Sequence, residues 1–136
     1  MSTSLKELNA FWKFEKEALN GSSIQKRSYK LYNTPIINFT IDDIRFMIGQ
    51  EIGLKHLIPI SIGYLREDIL TEGMYYPGDL LKMVLTIHTS FWKNHQQEKK
   101  DLQSLIKKSE LNVNLLNLDE SSKTKFREIM NDFLSL

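Results

Sequence analysis

Apolar residues return every three or four positions through most of this chain, and turn-forming residues punctuate the runs, which is the signature of short amphipathic helices. The signal is sharpest between Phe39 and Trp92. Thr40 stands where an N-cap belongs, with Asp42 and Asp43 in the first turn, where the positive end of the helix dipole favours carboxylates. Ile41, Ile44 and Ile48 then mark one face, with Met47 beside them. Gly49 and Gly53 mark its far end, either as a C-terminal turn or as a point of close helix approach. Pro59 predicts the first turn of the next helix, because deeper placement would remove a hydrogen bond. Its buried line is Ile58, Ile62, Leu65 and Ile69, its wet side carries Arg66, Glu67 and Asp68, and Gly73 stops it. The turn Met74-Tyr75-Tyr76-Pro77-Gly78-Asp79 leads into a further helix, with Pro77 at the first helical position and Leu80, Leu81, Val84 and Leu85 on its apolar face.

The flanks read less sharply. Ser4 and Glu7 have capping-box spacing and Gly21 supplies a stop, predicting a first helix from Ser4 to Asn20 with Leu5, Leu8, Phe11 or Trp12, and Leu19 inward. A short helix starts near Ser23 and ends before Pro35. Thr89 or Ser90 caps a longer helix that opens with Phe91 and Trp92 and runs to Lys108, polar all round from Gln96 to Asp101. The stretch from Ser109 to Leu118 alternates like a strand but has no partner strand, and reads as an extended loop. A last helix from Ser121 to Leu134 turns Phe126, Ile129, Met130, Phe133 and Leu134 to one side. The predicted fold is one all-α domain over residues 1–136, a bundle of five to six short helices.

Composition narrows the class. A chain of 136 residues that is 41% hydrophobic and 26% charged suits one globular domain with its own core. No apolar run reaches the roughly 18 residues of a membrane span. The N-terminus mixes Lys and Glu into its apolar positions, unlike a secretory leader. The chain has no cysteine, which removes disulfide and thiolate-metal chemistry and fits the cytoplasm. The net charge of +1 conceals an uneven distribution. Lys6, Lys13, Lys16, Lys26, Arg27 and Lys30 dominate up to residue 36, whereas Asp42, Asp43, Glu51, Glu67, Asp68, Glu72 and Asp79 outnumber the cations from 37 to 92. A weakly acidic middle argues against a nucleic-acid groove there and towards a basic protein partner.

Candidate chemistry is sparse. His88 and His95 are seven apart, but Thr89-Ser90 interrupts any helix between them, and no carboxylate completes a metal set with either or with His56. Gly49-Gln50-Glu51-Ile52-Gly53 follows a helix, not the strand that a dinucleotide fingerprint requires. The pairs Asp42–Asp43 and Glu67–Asp68 are helix neighbours about 100° apart and do not converge as an acid–base couple. Lys26, Arg27 and Lys30, interleaved with Tyr29 and Tyr32, are the one cluster suited to nucleic acid, and the segment after Gly53 is too apolar for a helix-turn-helix reader. No residue is assigned a catalytic, cofactor-binding or metal-binding role.

One likeness remains. Phe39-Thr40, Asp43, Arg45, Met47-Ile48-Gly49-Gln50 and Ile52-Gly53-Leu54, then Pro59, Gly73, Tyr76-Pro77-Gly78-Asp79-Leu80-Leu81, Val84-Leu85 and Phe91-Trp92, resemble in order and spacing the immunity proteins of bacterial contact-dependent growth inhibition. The resemblance spans rather more than a third of the chain and leaves 1–20 and 96–136 unmatched. It implies a cytoplasmic protein that binds the toxic C-terminal domain of a delivered effector, often a nuclease, and blocks it without a small-molecule substrate, nucleic acid or membrane. The expected toxin-facing patch is Glu67, Asp68, Glu72, Tyr75 and Asp79; the rival is the last helix, through Glu120, Glu128 and Asp132.

Overall fold

The computed structural model describes residues 3–136, so the first two residues of the predicted domain lie outside it. Eight α-helices are present among the described residues, more than the five to six expected: α1 Glu15–Ala18, α2 Ser23–Tyr32, α3 Ile41–Gly49, α4 Leu54–Glu67, α5 Asp79–Leu85, α6 Ser90–Lys93, α7 Gln96–Ser109 and α8 Glu120–Leu134. Short 3-10 turns occupy Ile36–Asn38 and Val113–Leu115. The all-α class holds. An isolated antiparallel bridge joins Ser4 to Pro35.

Local chemistry explains most boundaries. Ser22 with Gln25 opens α2 and Thr40 with Asp43 opens α3, each a reciprocal capping box that satisfies two otherwise unpaired amides. Asp119 opens α8, where its carboxylate accepts the Ser122 N–H at 2.7 Å. That bond, made to the charged form, holds the Asp119 carboxyl below the usual carboxylate range.

The predicted first helix is largely absent. Ser4 and Glu7 do form their capping box, but the turn closes at once. Ala10 N–H donates to Leu5 C=O and Asn9 N–H to Lys6 C=O, with Asn9 left-handed at φ 57°. That is a Schellman stop after a single turn. The stripe fails with it: Leu5 is fully buried, Phe11 is 83% exposed and Leu19 is exposed. Trp12 is half-buried, its ring 5.2 Å from that of Tyr32.

Three other boundaries shift. Pro59 lies well inside α4, not in its first turn. It is exposed, so the Lys55 carbonyl it frees lies on the solvent side, where water can satisfy it. Helix α4 ends at Glu67 rather than Gly73, and Asp68 Oδ1 accepts the Leu70 N–H as the chain turns away. The long helix expected from Ser90 to Lys108 breaks at Asn94-His95 into α6 and α7. His95 stacks on Phe91, ring centres 3.9 Å apart, and its Nδ1 meets the Phe91 carbonyl at 2.9 Å.

The buried apolar side chains form one continuous cluster from Leu5 to Phe133. Helix α3 packs on α5, α5 on α8, and α4 on α7. Gly49 permits the first of these, since a Cβ there would sit 3.1 Å from the Met83 sulfur. Glu51, not either glycine, takes the left-handed position that ends α3. Trp92 anchors the far side, edge-on to Phe133 at 5.1 Å. Together, α3, α5 and α8 frame the loop that joins α4 to α5.

Candidate protein-binding site

That loop, residues 68–78, is built around one carboxylate. Asp79 is only 4% exposed. It accepts N–H groups from Gly73 at 2.6 Å, Met74 at 3.2 Å and Tyr75 at 2.9 Å. The turn before it is type II: Asp79 N–H donates to Tyr76 C=O, Pro77 fixes the first corner, and Gly78 takes the positive-φ corner at 98°. Pro77 therefore precedes the helix rather than occupying its first position. A Cβ on Gly78 would also press on Leu70 at 3.3 Å and Phe126 at 3.5 Å.

Asp79 belongs to a chain of charges crossing three helices. Arg45 Nε donates to Asp42 Oδ1 at 2.6 Å and lies 3.9 Å from Asp79 Oδ2. Arg27 from α2 reaches Asp42 at 3.1 Å and Asp43 at 3.2 Å, and its guanidinium covers the Phe46 ring at 4.0 Å. Burial alone would push the Asp42 carboxyl up. The Arg45 and Arg27 guanidiniums outweigh it and hold that carboxyl below the usual carboxylate range. No buried side-chain polar atom among the described residues is left unpaired, as a retained buried network requires.

The outer surface of this network is aromatic. The Arg45 guanidinium lies 4.7 Å from the Tyr75 ring centre, a cation–π contact. Tyr75 is nonetheless 66% exposed and Met74 65%. Gly73 makes the close approach possible, because a Cβ there would meet Asp42 Oδ1 at 3.0 Å and Asp79 Oδ2 at 3.3 Å. Tyr76 is half-buried, and burial followed by the Asp79 charge pushes its phenol pKa up.

The predicted patch divides accordingly. Glu67, Asp68, Glu72 and Tyr75 are exposed on and beside the loop. Asp79 differs from the expectation of an exposed residue: its carboxylate is buried and bonded to three loop amides. None of Glu67, Asp68 and Glu72 joins an ion pair among the described residues. Arg66 turns towards α7, where it lines a shallow cleft with Asp101 and Lys108.

Of the rival patch, Glu120 and Glu128 share a shallow cleft with Lys125, while Asp132 lines a separate one beside Trp92 and Phe133. Lys125 also borders the cleft beside Tyr75, so the two candidate patches meet across it. Sequence reasoning missed Met74, Arg45 and Lys125. Arg45 entered only as one of the residues that carry the family resemblance; its i,i+3 spacing from Asp42 was there to be read, but nothing local links it to Asp79.

The other candidates are accounted for by structure. Arg27 is committed to Asp42 and Asp43, which leaves Lys26 and Lys30 of the basic cluster exposed. His88 Nδ1 accepts the Phe91 N–H and so caps α6. His56 is half-buried, and burial followed by the neighbouring Lys55 charge lowers its pKa. No group of three or more His, Asp or Glu that could hold a metal ion occurs among the described residues. None of the described helices is long and apolar enough to cross a membrane.

The body is helical throughout, and loop 68–78 exposes Met74 and Tyr75 above a network of buried charge. The comparisons give that body a family: the family of CDI immunity proteins matches residues 10–102. The chain belongs to that family, and is thus an immunity protein of contact-dependent inhibition. The match takes in α1 to α6, the braced loop and the start of α7; α8 lies beyond it. Neither the curated proteins nor the solved structures yield a match.

Proposed function

We propose that this chain neutralises the toxin domain of its cognate effector by covering the active site or substrate surface, with the loop 68–78 at the centre of the contact. The observation that carries the reading is Tyr75: an aromatic side chain two-thirds exposed, yet held from below by Arg45 and by the Asp79 grip on its own N–H. Binding immobilises side chains at a cost of about 0.5–1.5 kcal/mol each. A residue already fixed in the free protein avoids most of that, and Tyr is enriched among interface anchors. Met74 beside it adds apolar surface that adapts to a partner.

Glu67, Asp68 and Glu72, exposed on and beside the loop and in no ion pair among the described residues, would supply an acidic rim. Such a rim suits a partner with a basic groove, and a nuclease toxin is the member of the toxin class that this charge fits best. Opposite charge steers the encounter and sets orientation, while the central anchors set the lifetime. A contact of about 1,200–2,000 Å² in total would cover an active site. The protein acts in the cytoplasm, where a delivered toxin must be met, and needs no cofactor or small-molecule substrate.

The test uses the cognate toxin domain, which the immunity reading expects the gene immediately upstream to encode, co-expressed with this chain. Wild type is expected to protect growth and to co-purify with the toxin. Met74→Ala with Tyr75→Ala should abolish both while leaving the fold intact. Protection undiminished by that pair of substitutions overturns the placement of the interface.

A further inference from the structure

Beside Tyr75 lies a cleft of about 290 Å³. Its sides come from three parts of the chain: Arg45 from α3, Tyr75 and Tyr76 from the loop with Lys82 and Met83 from α5, and Lys125 and Ile129 from α8. Ligand pockets run from about 300 to 1,000 Å³, so this one is sized for a single side chain rather than a metabolite. Its polar groups are one-sided. Lys82 and Lys125 make no ion pair among the described residues. The carboxylate in the wall, Asp79, is spent on Arg45 and three backbone amides. Asp119, whose carboxyl feels the Lys82 charge, is engaged by the Ser122 N–H. The lining of the cleft thus offers two ammonium groups not held in ion pairs among the described residues and two aromatic walls, and its one carboxylate, Asp79, is already engaged. Glu120 and Glu128 flank Lys125 on the far side, in the neighbouring cleft.

We infer that this cleft is a socket for a carboxylate side chain, Asp or Glu, projecting from the toxin. The methylene stem would lie along Tyr75, Met83 and Ile129, with the carboxylate between Lys82 and Lys125. The inference rests on the reading that loop 68–78 faces the toxin, and it gives the interface a reversed charge at its centre. An acidic rim meets the basic surroundings of the toxin, while a cationic socket accepts one acidic side chain. A partner that is uniformly basic satisfies the rim but leaves the two lysines unpaired, so the socket adds selection among basic partners. Because Lys125 and Ile129 come from α8, the pairing lies partly outside the segment shared with the family.

The experiment measures binding of the upstream-encoded toxin domain to the full chain by calorimetry. Lys82→Glu with Lys125→Glu is expected to weaken binding about 100-fold or more, with an unchanged melting temperature. A scan of Asp and Glu positions on the toxin should then find one whose replacement by Lys restores binding to the reversed protein and weakens it to wild type. Tight binding by the reversed protein, or a loss that no acidic toxin position suppresses, overturns the socket. Failure of the wild-type protein to bind at all removes the proposed function and the socket with it, an outcome distinct from loss of the socket alone.

Discussion

Asp79→Asn is the most telling single substitution in this protein. It preserves shape and removes the charge that three amides and Arg45 share. The Asp79 side chain accepts N–H groups at 2.6, 3.2 and 2.9 Å in a site that is 4% exposed. Hydrogen bonds to a charged group contribute about 1.5–3 kcal/mol each when buried. Met74 and Tyr75 are exposed, so water can replace part of what their amides lose. The Gly73 bond, shortest and closest to the network, carries most of the loss. Asn retains one acceptor oxygen but turns an NH2 group towards donors. A total of about 3 kcal/mol follows. For a chain of this length the unfolding entropy is about 0.3 kcal/mol/K, so the melting temperature should fall by about 10 °C. The assay is thermal unfolding followed by circular dichroism, with Glu72→Gln as an exposed control. Amide exchange at Gly73 to Tyr75 should accelerate in the variant well before global unfolding. A variant that melts within about 2 °C of wild type, with those amides still protected, would refute the idea that Asp79 organises the loop.

Other consequences can be checked as directly. Asp42 has a folded pKa below its unfolded value, so its stabilisation is fully present above about pH 4 and drains away as pH falls through the folded value. Arg45→Met should therefore destabilise the protein most at neutral pH, by about 3–5 kcal/mol. The gap between the two unfolding curves should narrow below about pH 4; a gap that stays constant or widens in acid contradicts the network. Two glycines should respond with opposite signs in chemical denaturation. Gly73→Ala drives a Cβ against Asp42 and Asp79 and should destabilise by about 1–3 kcal/mol. Gly63→Ala meets nothing within 4 Å inside α4 and should stabilise by about 0.5–1 kcal/mol.

Which parts were legible follows from the range of the forces involved. Helix α3 was readable from its local cap, Thr40 with Asp43, and α8 from its apolar stripe; the Ser22 and Asp119 caps that open α2 and α8 are equally local, each closing a ring with a residue three positions on, but went unread. The N-terminal segment was not readable. Its capping box is real, but the left-handed Asn9 ends the turn, and Phe11 and Leu19 are then exposed where the predicted stripe would turn them in. Pro59 misled because an exposed proline inside a helix is tolerated when its freed carbonyl is solvated. The split at Asn94-His95 depends on a ring stacking on Phe91, which spacing does not announce. The exposed rim of the site could be read from charge and an aromatic turn. Its support could not, because Arg27, Asp42, Arg45 and Asp79 come from three helices and meet only in the fold. Asp79 was therefore placed in the exposed patch, whereas its carboxylate is buried beneath the loop at the start of α5.

The central claim is neutralisation by occupancy, and titration tests it most directly. Purified toxin domain from the adjoining gene is mixed with rising amounts of this protein, and both complex formation and residual toxicity are followed. The expected result is a complex that elutes as one species, with toxicity falling in proportion to the protein added and vanishing near equal stoichiometry. Toxicity abolished by a small fraction of an equivalent, or persisting in the presence of the complex, would contradict it.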